Sequence, residues 1–353
     1  METVVITGGA GFAGHHLVEH LLQNTDWTIL ILDSLTYAGR TDRLLDIDGF
    51  DYTRVTIRWH DLRAEIPTNI ADGLPPIKYI LHLAAESHVE RSITDPVPFV
   101  HNNVMATLNM LEWARKIDTL EHFIQISTDE VYGPAPEGKA HQEWIDPMLP
   151  SNPYAASKVS QEAIAISYWR TYGVPLTITN TMNLFGERQH PEKFLPKTIR
   201  DIAQDKPALL HARPYTDPDT GLIMWEPSER HWLHARNHAD ALLWILWNIS
   251  PVNYAEVSKT YHGTIYPNRF HVAGEKKNVL EIASAVAHAI GKSTAPEIQW
   301  VDYHSSRPGH DHRYALDSSK IHEAGWTEKF SFAESIEKTV QWMVKNDRWL
   351  NDY

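Results

Sequence analysis

Short apolar runs alternate with amphipathic stretches through the first half of this chain. The runs predict strands at 3–7, 28–32, 55–59, 78–83, 122–127 and 175–180. Between them, apolar positions recurring every three to four residues predict helices over 12–23, 96–116 and 154–172, with shorter ones between. Repeated strand–helix–strand alternation is the pattern of a parallel sheet covered by helices on both faces. After about residue 187 the alternation is lost, and Pro, Trp and His become frequent. The expected fold class is α/β: a doubly wound parallel sheet over 1–187, with a smaller C-terminal α/β lobe over 188–231 and 265–353. Asn237 reads as the N-cap of an apolar helix through Ala241-Leu-Leu-Trp-Ile-Leu-Trp247, so 232–264 is expected to pack back on the sheet.

Composition narrows the classes. The chain has 353 residues, 42% hydrophobic and 22% charged, enough for a large core and two lobes. A net charge of −13 argues against a nucleic-acid partner. With no cysteine, disulfides, thiolate catalysis and Cys-based zinc sites are excluded. A strand beginning at Thr3 leaves no room for a signal peptide, and no apolar run reaches the length of a membrane span. The expected setting is cytoplasmic, with no membrane partner.

Gly8-Gly9-Ala10-Gly11-Phe12-Ala13-Gly14 lies between the first strand and the first helix. Glycines at 8, 11 and 14 permit a tight turn, close approach of a pyrophosphate and tight helix–strand packing. The helix N-terminus then turns free N–H groups toward the phosphates. Asp33 ends the second strand, where an acid hydrogen-bonds the adenosine ribose and favours NAD over NADP. A ligand-free glycine turn is the alternative; the strand, the helix and the acid together outweigh it, and the sheet is expected to be Rossmann-like. Asp61-Leu62 reads equally as an adenine neighbour or a turn acid, and Leu83-Ala84-Ala85 as a cofactor-facing strand end or core.

Tyr154 and Lys158 are four residues apart within a predicted helix and so share a face. An ammonium beside a phenol stabilises the phenolate and is expected to lower the tyrosine pKa from its free value of about 10. Such a tyrosine can take a proton from a sugar hydroxyl while hydride leaves for a nicotinamide. Thr128 ends the fifth strand, where open α/β sheets place ligands, and Asp129 and Glu130 follow directly. Hydride transfer alone needs no extra acid and base, whereas elimination of water does. The combination predicts a redox step coupled to a dehydration. His231, His234 and His238 invite a metal reading, but no H-E-x-x-H pattern or carboxylate cluster accompanies them. Structural or ligand-contact histidines, and no metal, are expected.

These elements resemble the extended short-chain dehydrogenase/reductases, and among them the dTDP-glucose 4,6-dehydratase family. The similarity covers nearly the whole chain. It runs through Thr7-Gly-Gly-Ala-Gly-Phe12, Leu35-Thr-Tyr-Ala-Gly39, His82-Leu-Ala-Ala-Glu-Ser-His-Val-Glu-Arg-Ser-Ile93 and Ile126-Ser-Thr-Asp-Glu-Val-Tyr-Gly133. It continues in Pro153-Tyr-Ala-Ala-Ser-Lys158, Pro191-Glu-Lys193 and Arg307-Pro-Gly-His-Asp311. Sugar-nucleotide epimerases share the fold, the glycines and the Tyr/Lys pair, but typically lack the two acids. The resemblance implies that Tyr154 removes the C4 hydroxyl proton as hydride leaves, supported by Lys158 and Thr128. Glu130 then takes the C5 proton and Asp129 protonates the departing C6 hydroxyl. It implies an NAD site lined by Gly8, Gly11, Phe12, Ala13, Gly14, Asp33, Ser34, Leu35, Thr36, Asp61, Leu62, Leu83, Ala84, Ala85, Asn102, Tyr154 and Lys158. A nucleotide-sugar substrate would meet Ser87, Thr128, Asn183, Lys193, Phe194, Arg230 and Arg307, cations suited to a diphosphate. A homodimer through the helices containing 102–116 and 154–172 is also implied, with Val104, Leu108, Leu111, Ala163, Ile164 and Tyr168 compatible with it.

The chain departs from the family pattern at the nucleotide end. Asn183-Leu184-Phe185-Gly186 replaces an Asn-Asn pair before Tyr-Gly, and His211 and His271 stand where tyrosine and asparagine are usual. A longer segment from Arg213 to Glu229 precedes Arg230-His231-Trp232. The expected activity is a nucleoside-diphosphate-glucose 4,6-dehydratase, on dTDP-glucose or, as its rival, UDP-glucose. A 4-epimerase on the same scaffold, or a non-catalytic NAD-binding protein, are the competing readings.

Overall fold

The computed structural model describes residues 2–302 and 313–351. In chain order its strands are β1 (Thr3–Thr7), β2 (Thr28–Asp33), β3 (Val55–Trp59), β4 (Ile77–His82), β5 (His122–Thr128), β6 (Leu176–Thr181) and β7 (Leu184–Phe185). They continue with β8 (Ala208–Thr216), β9 (Ile223–Pro227), β10 (Glu229–His234), β11 (Asn268–Val272), β12 (Glu275–Asn278) and β13 (Ile298–Asp302). Seven of them form one parallel, Rossmann-like sheet in the order β11-β6-β5-β4-β1-β2-β3. Two smaller sheets, β12-β10-β7 and β13-β8-β9, stand beside it. The longer helices are α1 (Phe12–Asn24), α2 (Pro96–Ala114), α3 (Pro153–Tyr172), α4 (Phe194–Ala203), α5 (Ala235–Asn248), α6 (Val279–Ile290) and α7 (Phe332–Lys345).

Strand residues alternate between the two faces, and both faces are covered, which is why the strands read as unbroken apolar runs. Val4, Ile6, Ile29 and Ile31 pack with Leu17 and Leu21 of α1 and Leu242 of α5. Val5, Leu30, Leu32 and Ile80 pack the other way, with Met110 of α2 and Trp169 of α3. A third core joins Leu195 and Ile199 of α4, Leu210 of β8, Ile282 of α6 and Ile336 of α7. Helix α3 is bounded by its sequence: Asn152 accepts from the N–H of Ala155, Pro153 opens it, and Gly173 closes it at φ +72°.

Three expectations are corrected. The N-cap of α5 is His234, whose ring accepts from the N–H of Arg236; Asn237 lies inside the helix and bonds the Phe330 backbone. Residues 268–272, expected in the smaller lobe, form the edge strand β11 of the large sheet, because Phe270 and Val272 complete its core. Arg213–Glu229, where regularity seemed lost, holds the β8–β9 hairpin with its Arg213–Glu226 ion pair, then enters β10. Tyr215, Leu222, Ile223 and Met224 are exposed there, so neither face of the hairpin is buried and no period-two pattern is imposed.

Candidate active site

The strand order reverses beside β1 and β4, and a crevice opens there at the carboxyl ends of the strands. The cleft measures about 540 Å³, within the roughly 300–1,000 Å³ typical of small-molecule sites. Gly8, Gly11, Phe12, Ala13 and Gly14 line it at the start of α1. A Cβ on Gly14 would stand 2.2 Å from the Gly8 carbonyl oxygen, and one on Gly8, at φ +69°, 3.1 Å from the Ala84 backbone. Gly11 caps α1 with no side chain and no acid occupies the first turn, so the N–H groups there suit an anion. Asp33 accepts from Ala10 N at 2.9 Å and Leu35 N at 2.8 Å. Burial lifts its carboxyl above the usual range while those two N–H groups hold it back. Ser34, Thr36, Asp61, Leu62, Leu83, Ala84, Ala85 and Asn102 also line the cleft. The Thr7 hydroxyl holds the 83–84 backbone, accepting from both N–H groups. Leu35 does not line the cleft; its contribution is the backbone N–H to Asp33. The glycine cradle, the uncapped helix and the anchored acid fit a dinucleotide.

Thr128, Asp129, Glu130, Tyr154 and Lys158 converge on the same cleft. Thr128 ends β5 and caps a 3-10 turn, Asp129–Tyr132, which Gly133 closes at φ +74°. The Thr128 hydroxyl donates to Asp129 Oδ1 at 2.8 Å and also hydrogen-bonds Tyr154. Burial pushes the Asp129 carboxyl up to about 6, against the Thr128 hydrogen bond and the Arg230 charge. Lys158, buried, donates to the Ile126 carbonyl at 2.8 Å; burial lowers its ammonium to about 8, opposed by Glu162. The expected depression of the Tyr154 pKa is not what the protein supplies. Burial, then the charges of Glu130 and Asp129, push the phenol above its ordinary value.

Ser87, Asn183, Lys193, Phe194, His211 and Arg230 line the other end. His211 sits on β8, at the root of the hairpin, and its carbonyl accepts from the Ser228 N–H at 3.3 Å. His271 is corrected: it lies on β11, fully buried, with its ring nitrogens against the Tyr132 hydroxyl at 2.8 Å and the Asp317 carbonyl at 3.1 Å. A ring enclosed by those partners faces no ligand. Arg307 lies outside the described residues. Among the described residues no group of three His, Cys, Asp or Glu is placed to hold a metal. His231 bonds the Gly274 carbonyl, and His234 bonds Glu187 and Thr339, whereas His238 lines the cleft.

The cleft also contains residues that sequence reasoning passed over. Tyr314 lines it, its hydroxyl 3.5 Å from Glu130 Oε2 and its ring under the Arg230 guanidinium at 4.9 Å. Glu192 lines it too and pairs with Arg91 at 3.0 Å. Glu192 lay inside the quoted Pro191-Glu-Lys193 motif and Tyr314 just beyond Arg307–Asp311; proximity to a motif was the only signal available.

The family profile described as GDP-mannose 4,6 dehydratase matches residues 5–339. The dTDP-glucose 4,6-dehydratase of Salmonella typhimurium is 35% identical, over 99% of this chain and 94% of that protein. The crystal structure of the Streptomyces venezuelae dTDP-glucose 4,6-dehydratase DesIV, with NAD and TYD bound, superposes with a TM-score of 0.80 at 30% identity, covering 98% of each chain. The Thermus thermophilus UDP-glucose 4-epimerase, in complex with NAD, superposes with a TM-score of 0.77 at 28% identity, covering 97% of this chain and 99% of that one.

Proposed function

The chain belongs to the GDP-mannose 4,6 dehydratase family, and we propose that it is an NAD-dependent nucleoside-diphosphate-glucose 4,6-dehydratase with dTDP-glucose as its leading substrate. The observation that carries this reading is the meeting of two pairs in one cleft, Tyr154 with Lys158 and Asp129 with Glu130. When bound, NAD supplies the hydride acceptor at C4 and the donor at C6, so the cycle is redox-neutral. Tyr154 takes the C4 hydroxyl proton in its phenolate form, which the neighbouring carboxylates disfavour and the positive nicotinamide of bound NAD would favour, with Thr128 holding the phenol. The resulting 4-ketone is the electron sink that makes the C5 proton acidic enough to remove. Glu130 takes that proton. Asp129, whose carboxyl burial pushes up to about 6, gives a proton to the departing C6 hydroxyl, which leaves as water. C5 then regains a proton as C6 is reduced, giving a 4-keto-6-deoxy sugar.

Likeness to the Thermus epimerase keeps a second reading, a sugar-nucleotide 4-epimerase. Against it stand Asp129 and Glu130, which epimerisation does not need. The test is mass analysis of product after incubation with NAD and a panel of nucleotide-glucoses. Loss of water from dTDP-glucose or UDP-glucose supports the proposal, and competition between the two ranks them. C4 inversion without water loss refutes it. The base end, with His211 and the hairpin, is where that choice is made, because polar contacts to a base discriminate strongly when matched. Support for a homodimer comes from Val97, Val100 and Ala163, exposed on α2 and α3. Leu111 and Tyr168 are instead buried within the chain. No described helix is long and apolar enough to cross a membrane. We assign the dinucleotide unit to 1–187 with 232–264 packing back on it and β11 at its edge, and the described remainder of 188–231 and 265–351 to the nucleotide sugar.

A further inference from the structure

Glu162 lies one helical turn beyond Lys158 on α3 and is fully buried. Its Oε1 accepts from Asn180 Nδ2 at 2.8 Å, and the same amide donates to the Thr128 carbonyl at 3.0 Å. Its Oε2 accepts from the Arg269 guanidinium at 2.5 Å, and Arg269 donates to the Tyr132 hydroxyl at 3.0 Å. Thr128 and Tyr132 are the two ends of the turn that carries Asp129 and Glu130. One carboxylate therefore reaches both ends of that turn from the helix that carries Tyr154 and Lys158. A buried ion pair gains little stability over an apolar pair of similar shape, so its placement calls for another account.

We propose that Glu162, with Arg269 as its counter-ion, is a positioning residue that sets the Tyr154/Lys158 pair against the Asp129/Glu130 pair. The inference rests on the roles proposed above for those four residues. Arg269 comes from β11 and is itself held, with Trp144 beneath its guanidinium at 4.1 Å and Lys320 donating to its carbonyl. Tyr132 is further fixed by His271. Lys158 provides an independent signal. It shares a helix face with Tyr154, lies near Glu162 on its own helix and His82 from β4, and bonds the Ile126 carbonyl of β5, with Thr128, Asp129 and Glu130 gathered about Tyr154. Burial lowers its ammonium and Glu162 resists that. Removing the Glu162 charge should let the ammonium deprotonate at a lower pH.

The test compares Glu162→Gln, which keeps the size, with Glu162→Asp, which keeps the charge, in the NAD-loaded enzyme. Three quantities are read: single-turnover appearance of reduced nicotinamide against pH, solvent deuterium entry at C5, and KM. In Glu162→Gln, kcat should fall roughly 10²-fold, as for a misplacement of about 1 Å, while KM stays within about threefold. The alkaline limb of hydride transfer should move to lower pH, and Glu162→Asp should recover much of both. If Glu162→Gln does not fold, Tyr132→Phe takes its place. That change removes the hydroxyl's contacts to Arg269 and His271 at the far end of the turn and should slow C5 exchange while sparing C4 oxidation. Wild-type rates and limb in Glu162→Gln, or wild-type C5 exchange in Tyr132→Phe, would overturn the proposal. So would a fall in kcat with the limb unmoved and no recovery in Glu162→Asp, the behaviour of simple core filling. Wild-type enzyme that oxidises C4 but never exchanges C5 would instead sink the dehydratase reading and leave the limb test of Glu162 standing.

Discussion

Asn152 Nδ2 donates to Glu130 Oε2 across 2.9 Å, while Oδ1 of the same amide caps α3 at the Ala155 N–H. The residue that starts the helix bearing Tyr154 and Lys158 thus also grips the proposed elimination base. The two pairs proposed to carry the reaction, more than twenty residues apart in sequence, are tied by one side chain. Tyr314, 3.5 Å from the same oxygen, approaches it from the C-terminal part of the chain.

Glu130→Gln should separate the half-reactions. The amide keeps the Asn152 contact in outline but cannot accept the C5 proton. C4 oxidation should persist, reduced cofactor should accumulate on the enzyme, and water loss should slow by roughly 10²–10⁴-fold, the usual worth of a general base. Near-ultraviolet absorbance with product mass analysis reads both. Rapid dehydration with no reduced cofactor would remove Glu130 from that role.

Tyr154→Phe should abolish nearly all turnover while leaving the melt and NAD binding as in the parent. The phenol is buried and sits among carboxylates, so removing its hydroxyl should cost the proposed reaction more than the fold. A folded, NAD-binding variant that still turns over near the parent rate would exclude Tyr154 as the base.

In the proposed mechanism Asp129 sets the alkaline limb of water loss. Its carboxyl is pushed up to about 6 by burial, so the protonated form needed for the leaving hydroxyl persists into mildly acidic solution and is lost as pH rises past that value. The single-turnover rate of water loss should therefore decline above about pH 6. Asp129→Asn should be slower by roughly 10²-fold or more and lack that decline. An identical decline in the variant would assign the limb to another group.

Buried histidines set a stability limit. His16, His82, His122 and His271 are held to about 3, chiefly by burial. Their folded values lie below the unfolded value of about 6.5, so the unfolded chain binds more protons as pH falls below it. The stabilisation is complete above about 6.5 and erodes toward 3, at up to roughly 1.4 kcal/mol per pH unit for each histidine. Melting temperature should drop steeply between pH 6.5 and 5. A flat profile there would contradict the buried neutral state of these rings.

Much of this protein was legible in its sequence because the signals are local. Strands buried on both faces read as apolar runs, so β1 to β6 fall at or within a residue of their expected positions. Glycine spacing identified the cradle at the start of α1, where only a missing Cβ lets Gly14 approach Gly8. Helical spacing of four placed Tyr154 and Lys158 on one face. What only tertiary structure decided is which distant groups meet. Asn237 resembles a cap in sequence, yet β10 runs to His234 and the helix begins there. His271 looked like a nucleotide contact, but its strand joins the large sheet and turns the ring inward onto Tyr132. Glu162 and Arg269 are far apart along the chain and carry no motif; they pair because α3 and β11 pack around the same buried turn. Spacing fixes the face on which a side chain stands, but its partner depends on the stacking of layers, which is set by the whole core.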